Sequence, residues 1–218
     1  MDAGGAGQRL YTAGAEGPGV LVLHPWWGLN DDVIAYADRL AGAGFVVAAP
    51  DMFDGRVATT IEEAERLARA ADEEAVNGVV LAALDRLAGL TGPAAMLAAL
   101  GFSFGAHWAL WSPTQRDRVV ASVLYYGTTG GPVLTQASVP VLGHFAEDDP
   151  YETAEWVAEF EETLRAEGRD VLLHRYPGTG HWFAEPSRDA YRPEAAELAF
   201  ARTSQFLATH LGIGGLRG

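Results

Sequence analysis

The chain has 218 residues, of which 29 are acidic and 15 are arginine, with no lysine and no cysteine. The formal net charge of −14 repels phosphate backbones, so we expect no nucleic-acid partner. The lack of lysine excludes Schiff-base chemistry and a P-loop. The lack of cysteine excludes a thiol nucleophile, disulfides and thiolate zinc sites.

Short apolar runs alternate with helix-like segments along the chain. Strands are predicted, in chain order, at 19–24, 44–50, 94–100, 119–126, 139–145 and 170–176. Helices are predicted at 31–43, within 61–88 as one or two helices, from 106 onward, at 150–167 and at 193–210. This alternation is typical of βαβ units, and continuous apolar strands indicate a sheet covered by helices on both faces.

The sequence therefore predicts an α/β fold with a mainly parallel sheet, in a single domain spanning 1–218. Residues 211–218 are Gly-rich and are expected to form a flexible tail. The N-terminal segment 1–10 lacks the basic start and apolar stretch of a signal peptide. No apolar run reaches the roughly 18 residues of a membrane span. We expect a cytoplasmic protein with no membrane partner.

The motif with the clearest chemistry is Gly101-Phe-Ser-Phe-Gly105, which follows the predicted strand at 94–100. The pattern G-x-S-x-G places a nucleophilic serine on a tight strand-to-helix turn, where the glycines permit a crowded backbone. The alternative interpretation is a Gly-rich turn in which Ser103 only caps the next helix.

A serine nucleophile needs a base, because its hydroxyl is not ionised at neutral pH. Of six histidines, His181 stands in a loop directly after the last predicted strand, at the edge where sites in open α/β sheets form. A solvated loop side chain is the alternative. Asp149 follows another strand and is the preferred third member, with neighbouring Asp148 in reserve. The order Ser103, Asp149, His181 is that of α/β-hydrolases.

Backbone N–H groups should bind the oxyanion that forms during acyl transfer. Phe104 supplies one as the residue after the nucleophile, and Trp26 is the first candidate after the first predicted strand, because Pro25 has no N–H. Aromatic side chains near these positions are predicted to form an apolar substrate pocket, with core packing as the alternative. The candidates are Trp27, Phe102, Trp182 and Phe183.

Four segments together resemble the dienelactone hydrolase family: His24-Pro-Trp-Trp-Gly-Leu-Asn30, the motif at 101–105, His144-Phe-Ala-Glu-Asp-Asp-Pro150 and Tyr176-Pro-Gly-Thr-Gly-His-Trp-Phe183. The resemblance implies a compact α/β-hydrolase without a large cap domain. It also implies that Ser103, Asp149 and His181 are the nucleophile, acid and base, with an oxyanion hole at the amides of Trp26 and Phe104.

Three positions depart from the family pattern. Ser103 stands where the well-known members have cysteine, and Pro25 where they have a glutamate that tunes the thiol. Glu185 stands where they have an arginine, four residues after the catalytic histidine, that holds the substrate carboxylate. We expect Glu185 at the pocket mouth, where it would disfavour anionic substrates.

The predicted function is a cofactor-independent serine hydrolase of a small carboxylic ester or lactone, acting through an acyl-enzyme. An acyltransferase or small peptidase on the same triad, or a catalytically silent ligand-binding module, are the alternatives. No cofactor and no metal are expected. The acidic loop after His144 offers a weaker possibility of a metal site, because no spaced second histidine accompanies it. The sequence is compatible with a homodimer.

Overall fold

The computed structural model describes residues 9–213. Its strands are β1 (Leu10–Ala13), β2 (Gly19–Leu23), β3 (Val46–Pro50), β4 (Leu97–Phe102), β5 (Val119–Tyr125), β6 (Val141–Asp148) and β7 (Val171–Gly180). Its α-helices are α1 (Asp31–Gly42), α2 (Ile61–Ala70), α3 (Glu73–Thr91), α4 (Ala106–Gln115), α5 (Pro132–Gln136), α6 (Ala154–Ala166) and α7 (Pro193–Leu211). A single 3₁₀ turn, Ser103–Gly105, joins β4 to α4.

The strands form one seven-stranded sheet in the order β1-β3-β2-β4-β5-β6-β7. Only the pairing of β1 with β3 is antiparallel; the other pairings are parallel. The predicted mainly parallel α/β fold is confirmed. Because the parallel strands share one direction, their carboxyl ends meet at one edge, and the loops that follow β2, β4, β6 and β7 converge there.

Helices cover both faces of this sheet. Strand β2 is buried at every position, and its alternate side chains enter two different core clusters. Leu21 and Leu23 belong to the cluster that also holds side chains of α3, α4 and α6, whereas Val20 and Val22 belong to the cluster with side chains of α1 and α7. Burial on both faces explains why this strand reads as a continuous apolar run. Within residues 9–213, no insertion of cap-domain size interrupts the alternation.

The structure differs from the predicted elements at the edges. β1 and α5 were not predicted, because segments of four and five residues carry too few apolar positions for a recognisable period. The predicted strand ends at residue 176, whereas β7 continues to Gly180, where Gly180 pairs with Asp148. Of the predicted tail, residues 214–218 lie outside the described residues, and Leu211 ends α7. Among the residues described, no helix is long and apolar enough to cross a bilayer.

Candidate active site

Ser103 directly follows β4, on a sharply bent backbone. Its φ of +45° lies in the left-handed region that side-chain-bearing residues rarely adopt. The flanking glycines leave no room for side chains. A Cβ on Gly101 would lie 2.2 Å from the carbonyl oxygen of Gly105, and a Cβ on Gly105 would lie 2.5 Å from that of Leu23. The glycine spacing is therefore required by close backbone packing, and the bend presents Ser103 at the carboxyl ends of the strands.

The three residues of the predicted triad lie in one hydrogen-bonded chain. The Oγ of Ser103 is 3.0 Å from Nε2 of His181, and Nδ1 of His181 is 2.7 Å from Oδ2 of Asp149. The side chains of His181 and Asp149 are almost fully buried, 4% and 1% exposed. Since a carboxylate only accepts, Nδ1 carries the hydrogen and Nε2 is free to accept from the Ser103 hydroxyl.

Of the two adjacent carboxylates, Asp149 contacts the histidine and Asp148 is exposed. Asp148 is the last residue of β6, and Asp149 begins the turn that follows. The Oδ1 of Asp149 accepts hydrogen bonds from the backbone N–H groups of Tyr151 and Glu152, at 2.9 and 3.1 Å. This turn fixes one carboxylate oxygen and leaves the other directed at His181.

The loop that carries Trp26 lies against the 3₁₀ turn Ser103–Gly105. Gly105 packs on the backbone of Leu23 and His24, at the end of β2, so the two candidate oxyanion donors sit on adjoining backbone segments. Phe104 lies in the 3₁₀ turn, whose first N–H groups have no intrahelical acceptor. Among residues 9–213, the N–H of Trp26 likewise donates to no acceptor.

Comparison with known proteins identifies the family. The sequence profile of the dienelactone hydrolase family matches residues 8–211. The chain belongs to the dienelactone hydrolase family. An Aquifex aeolicus protein provisionally named carboxymethylenebutenolidase is 30% identical over 210 residues, which cover 89% of each chain.

One further relative agrees with this membership, and one solved structure shares the fold. A Bradyrhizobium protein provisionally named 2-oxo-3-(5-oxofuran-2-ylidene)propanoate lactonase is 31% identical over 210 residues, 89% of this chain and 84% of its own. A provisionally assigned dienelactone hydrolase from Klebsiella pneumoniae, at 21% identity, superposes with a TM-score of 0.80 and covers 91% of this chain and 92% of its own. This last likeness bears on the fold. The protein is a hydrolase of the dienelactone hydrolase type.

In this dienelactone hydrolase family member the rings of Tyr126, Tyr151 and Trp182 surround that of His181, and Tyr126 lies 5.0 Å from it. The Tyr151 ring lies 4.9 Å from that of His181, and the Trp182 ring lies 5.0 Å from it. Trp26 contacts the rings of Tyr151 and Trp182, at 5.4 and 5.9 Å. Tyr151 was not predicted; its signal in the sequence was its place two residues after Asp149.

Three of the predicted pocket residues are buried instead of lining an open wall. Phe102 and Phe183 are 3% and 0% exposed and belong to the core cluster on the α1 and α7 face. Trp27 is 2% exposed and packs beneath the Arg188 guanidinium, which lies 3.7 Å from its ring centroid. Core packing, the stated alternative, applies to these rings. Trp182 remains half-buried beside His181.

Glu185 is also placed differently from the expectation. It is 2% exposed and accepts a hydrogen bond from the Tyr126 hydroxyl at 2.9 Å, instead of standing at a pocket mouth. Burial raises the pKa of Glu185 to about 8, opposed by the Tyr126 hydrogen bond and by Arg188, whose Nε lies 3.9 Å away. A carboxyl group with such a pKa is mainly protonated at neutral pH, so the expected repulsion of anionic substrates loses its basis.

Glu152 is a further carboxylate near the histidine that sequence reasoning missed. It accepts hydrogen bonds from the N–H and hydroxyl of Thr128, at 3.0 and 2.7 Å. Burial raises its pKa, while the Thr128 hydrogen bonds and the nearby His181 lower it. The contact ties the loop after β5 to the turn that carries Asp149.

The acidic loop after His144 does not form a metal site with that histidine. His144 is fully buried, and its ring nitrogens lie 2.8 and 2.9 Å from the hydroxyls of Tyr176 and Thr203. In the part of the chain that the structure describes, no three His, Asp or Glu side chains are grouped to hold a metal ion.

Proposed function

We propose that this protein is a serine hydrolase that cleaves small carboxylic esters or lactones through an acyl-enzyme. The observation that carries the proposal is the hydrogen-bonded chain from Asp149 through His181 to Ser103, at 2.7 and 3.0 Å. It ends on a serine whose strained backbone is typical of a nucleophile turn. Family membership supports the same class of reaction.

In the first step, Nε2 of His181 takes the hydroxyl proton as Ser103 Oγ attacks the ester carbonyl carbon. The carbonyl oxygen becomes an oxyanion, to which the N–H groups of Trp26 and Phe104 donate. Asp149 stabilises the imidazolium and fixes the orientation of its ring. His181 then gives its proton to the leaving alkoxide, which departs as an alcohol. In a lactone this alcohol stays attached to the acyl group.

In the second step, water attacks the acyl-enzyme carbonyl while His181 takes one of its protons. The second tetrahedral intermediate collapses, the Ser103 oxygen leaves and receives the proton back from His181, and a carboxylic acid is released. No redox group or metal enters this sequence. The atoms balance as one ester plus one water giving one acid and one alcohol.

Neutral substrates with a flat apolar part fit the surroundings of the histidine best. The nearby side chains Trp26, Tyr151 and Trp182 are aromatic. The first arginine after His181 along the chain, Arg188, stacks on the Trp27 ring, 3.7 Å from its centroid. Aromatic faces favour flat apolar groups through burial and ring stacking.

The test combines a fluorophosphonate label with ester turnover. We expect the wild-type chain to be labelled at Ser103, and Ser103→Ala to lose labelling together with at least about 10³-fold in kcat. Ser187→Ala, at an exposed serine, is the control and should keep both. Retention of more than about a tenth of wild-type kcat in Ser103→Ala would overturn the assignment, because removal of a triad nucleophile costs far more than that.

Two outcomes would point to the alternatives. Absent labelling and absent turnover of a panel of charged and neutral esters and lactones would favour a silent ligand-binding module. Faster product formation with added alcohols or amines than with water would favour an acyltransferase, and cleavage of small amides would favour a peptidase.

A further inference from the structure

His24 is a buried polar side chain that the mechanism above does not use. It directly follows β2, is 0% exposed, and both of its ring nitrogens make hydrogen bonds. Its Nδ1 lies 2.7 Å from the carbonyl oxygen of Pro25, and its Nε2 accepts from the backbone N–H of Met52 at 2.9 Å.

These two contacts fix which ring nitrogen carries the hydrogen. A backbone N–H only donates, so Nε2 of His24, facing Met52, must be the unprotonated nitrogen. A carbonyl oxygen only accepts, so Nδ1 must be the donor toward Pro25. Burial lowers the pKa of His24 to about 4, and the Pro25 hydrogen bond and Asp51 oppose this shift more weakly. The ring is therefore neutral near pH 7. The side chain is therefore a directed donor with one orientation.

The carbonyl that receives this hydrogen bond belongs to the same peptide unit as the N–H of Trp26. A peptide unit is planar, and in its trans form the C=O and N–H point in opposite directions. Holding the Pro25 oxygen consequently sets the direction of the Trp26 N–H. We propose that His24 is a positioning residue that aims the Trp26 N–H at the substrate oxyanion; this rests on the oxyanion role of that N–H in the proposed function.

The same carbonyl is held from a second side. The N–H of Gly28 donates to the Pro25 oxygen at 3.1 Å, which closes the loop into a tight turn. With two donors on its oxygen, the Pro25–Trp26 peptide is polarised so that its N–H becomes a stronger donor, since hydrogen bonds in a chain reinforce one another.

The residues that pack behind His24 also contact Phe104, which carries the other proposed oxyanion donor. The carboxylate of Asp51 binds the N–H groups of Phe53 and Gly55, which fixes the loop that presents Met52 to His24. The Phe53 ring contacts the His24 ring at 4.9 Å and the Phe104 ring at 5.2 Å. One aromatic side chain thus packs against the positioning residue of the first donor and the side chain of the second.

Asparagine and glutamine separate the two contacts of His24. The amide nitrogen of an asparagine falls near Nδ1, so His24→Asn can still donate to Pro25 but cannot reach Met52. The longer His24→Gln places its amide near Nε2, where it can accept from Met52 but no longer clamps Pro25. Both variants remove the ring and keep one hydrogen bond, so a purely structural role predicts similar activities for them.

We expect His24→Gln to lower kcat about 10- to 100-fold at nearly constant KM, less than the 10²–10³ seen when an oxyanion donor is removed outright. His24→Asn should keep at least several times more kcat than His24→Gln at a similar melting temperature. Binding of a boronic-acid mimic of the tetrahedral intermediate should weaken in parallel with kcat. Equal kcat values in the two folded variants, or a loss that follows melting temperature alone, would overturn the inference.

A measurement on the wild-type chain keeps the inference testable if a variant does not fold. Long-range ¹⁵N–¹H NMR of the histidine rings should show His24 with its hydrogen on Nδ1, and the opposite tautomer would overturn it. Ser103→Ala is assayed alongside. If Ser103→Ala remains active, the proposed function fails; if it is inactive while both His24 variants retain full kcat, only the His24 inference fails.

Discussion

Two chains of hydrogen-bonded side chains, each built around a buried histidine, lie in different regions of the molecule. At the sheet edge, Asp149, His181 and Ser103 form the site chain. In the core, five side chains from three strands and two helices form the second, which we call the core chain: Tyr36, Tyr125, Thr203, His144 and Tyr176. Neighbouring links in both are 2.7 to 3.0 Å long.

The chemistry of the end groups separates the two. His181 is held between a carboxylate and a serine on a strained turn, so one ring nitrogen faces an acceptor and the other faces the proposed nucleophile. His144 is held between two hydroxyls that can each donate or accept, and burial lowers its pKa well below the usual value. A buried, hydrogen-bonded histidine is therefore poised for catalysis only when its partners fix its tautomer and one of them can react.

The largest expected effect breaks the site chain at its carboxylate. In Asp149→Asn the amide nitrogen can donate to Nδ1 of His181, which moves the ring hydrogen to Nε2 and removes the base. We expect kcat to fall about 10³- to 10⁴-fold, as for the same change in a serine protease. Asp148→Asn, at the adjacent exposed carboxylate, is the control and should retain normal turnover. A comparable loss in both variants would contradict the assignment of Asp149.

The second prediction breaks the core chain and should affect stability instead of activity. His144→Phe removes the histidine partner of the Tyr176 hydroxyl and one of the two partners of the Thr203 hydroxyl, which still bonds Tyr125. This should cost about 1–3 kcal/mol of unfolding free energy. Turnover per fluorophosphonate-labelled site should stay unchanged. Ser103→Ala should show the reverse, with normal stability and no turnover. Loss of specific activity in folded His144→Phe would mean that the two chains are coupled.

The third prediction concerns Glu185, which connects to the site through Tyr126. Its folded-state pKa of about 8 lies above the ordinary value of 4.5, so the folded protein binds more protons than the unfolded chain between these pH values. Stability should fall as pH rises from about 5 to 8. Glu185→Gln stays neutral and can still accept from Tyr126, so its urea midpoint should depend less on pH than that of the wild type. Parallel pH profiles for the two proteins would contradict a raised pKa of Glu185 in the folded protein.

Only some features of the site chain could be predicted from the sequence. The strand that precedes Ser103 and the meeting of Ser103, Asp149 and His181 were predictable, because they depend on local pattern and on which ends of parallel strands meet. Asp149 was preferred to Asp148 from the sequence, but the turn that directs Asp149 at His181, closed by hydrogen bonds from Tyr151 and Glu152, was not predicted.

Counting along the chain failed at Glu185 for a related reason. The segment after His181 turns back on itself: the N–H of Glu185 donates to the carbonyl of Trp182, and the N–H of Arg188 donates to that of Glu185. Trp182, with φ of +64°, reverses the chain direction at the start of this turn. A side chain four positions after the histidine thus enters the interior, and no residue pattern in the sequence reports that direction.

The smallest expected effect tests whether Tyr151 contacts the neutral, flat substrates proposed above. Tyr151 is 36% exposed, and its ring stands 4.9 Å from His181 and 5.4 Å from Trp26. In Tyr151→Ala we expect kcat/KM for aryl esters to fall about fivefold, near 1 kcal/mol for one lost aromatic contact, with little change for acetate esters of small alcohols. Tyr151→Phe keeps the ring and should behave as the wild type. An equal loss for aryl and small alkyl esters would instead indicate that Tyr151 acts by holding the His181 ring, because an orienting contact affects all substrates alike.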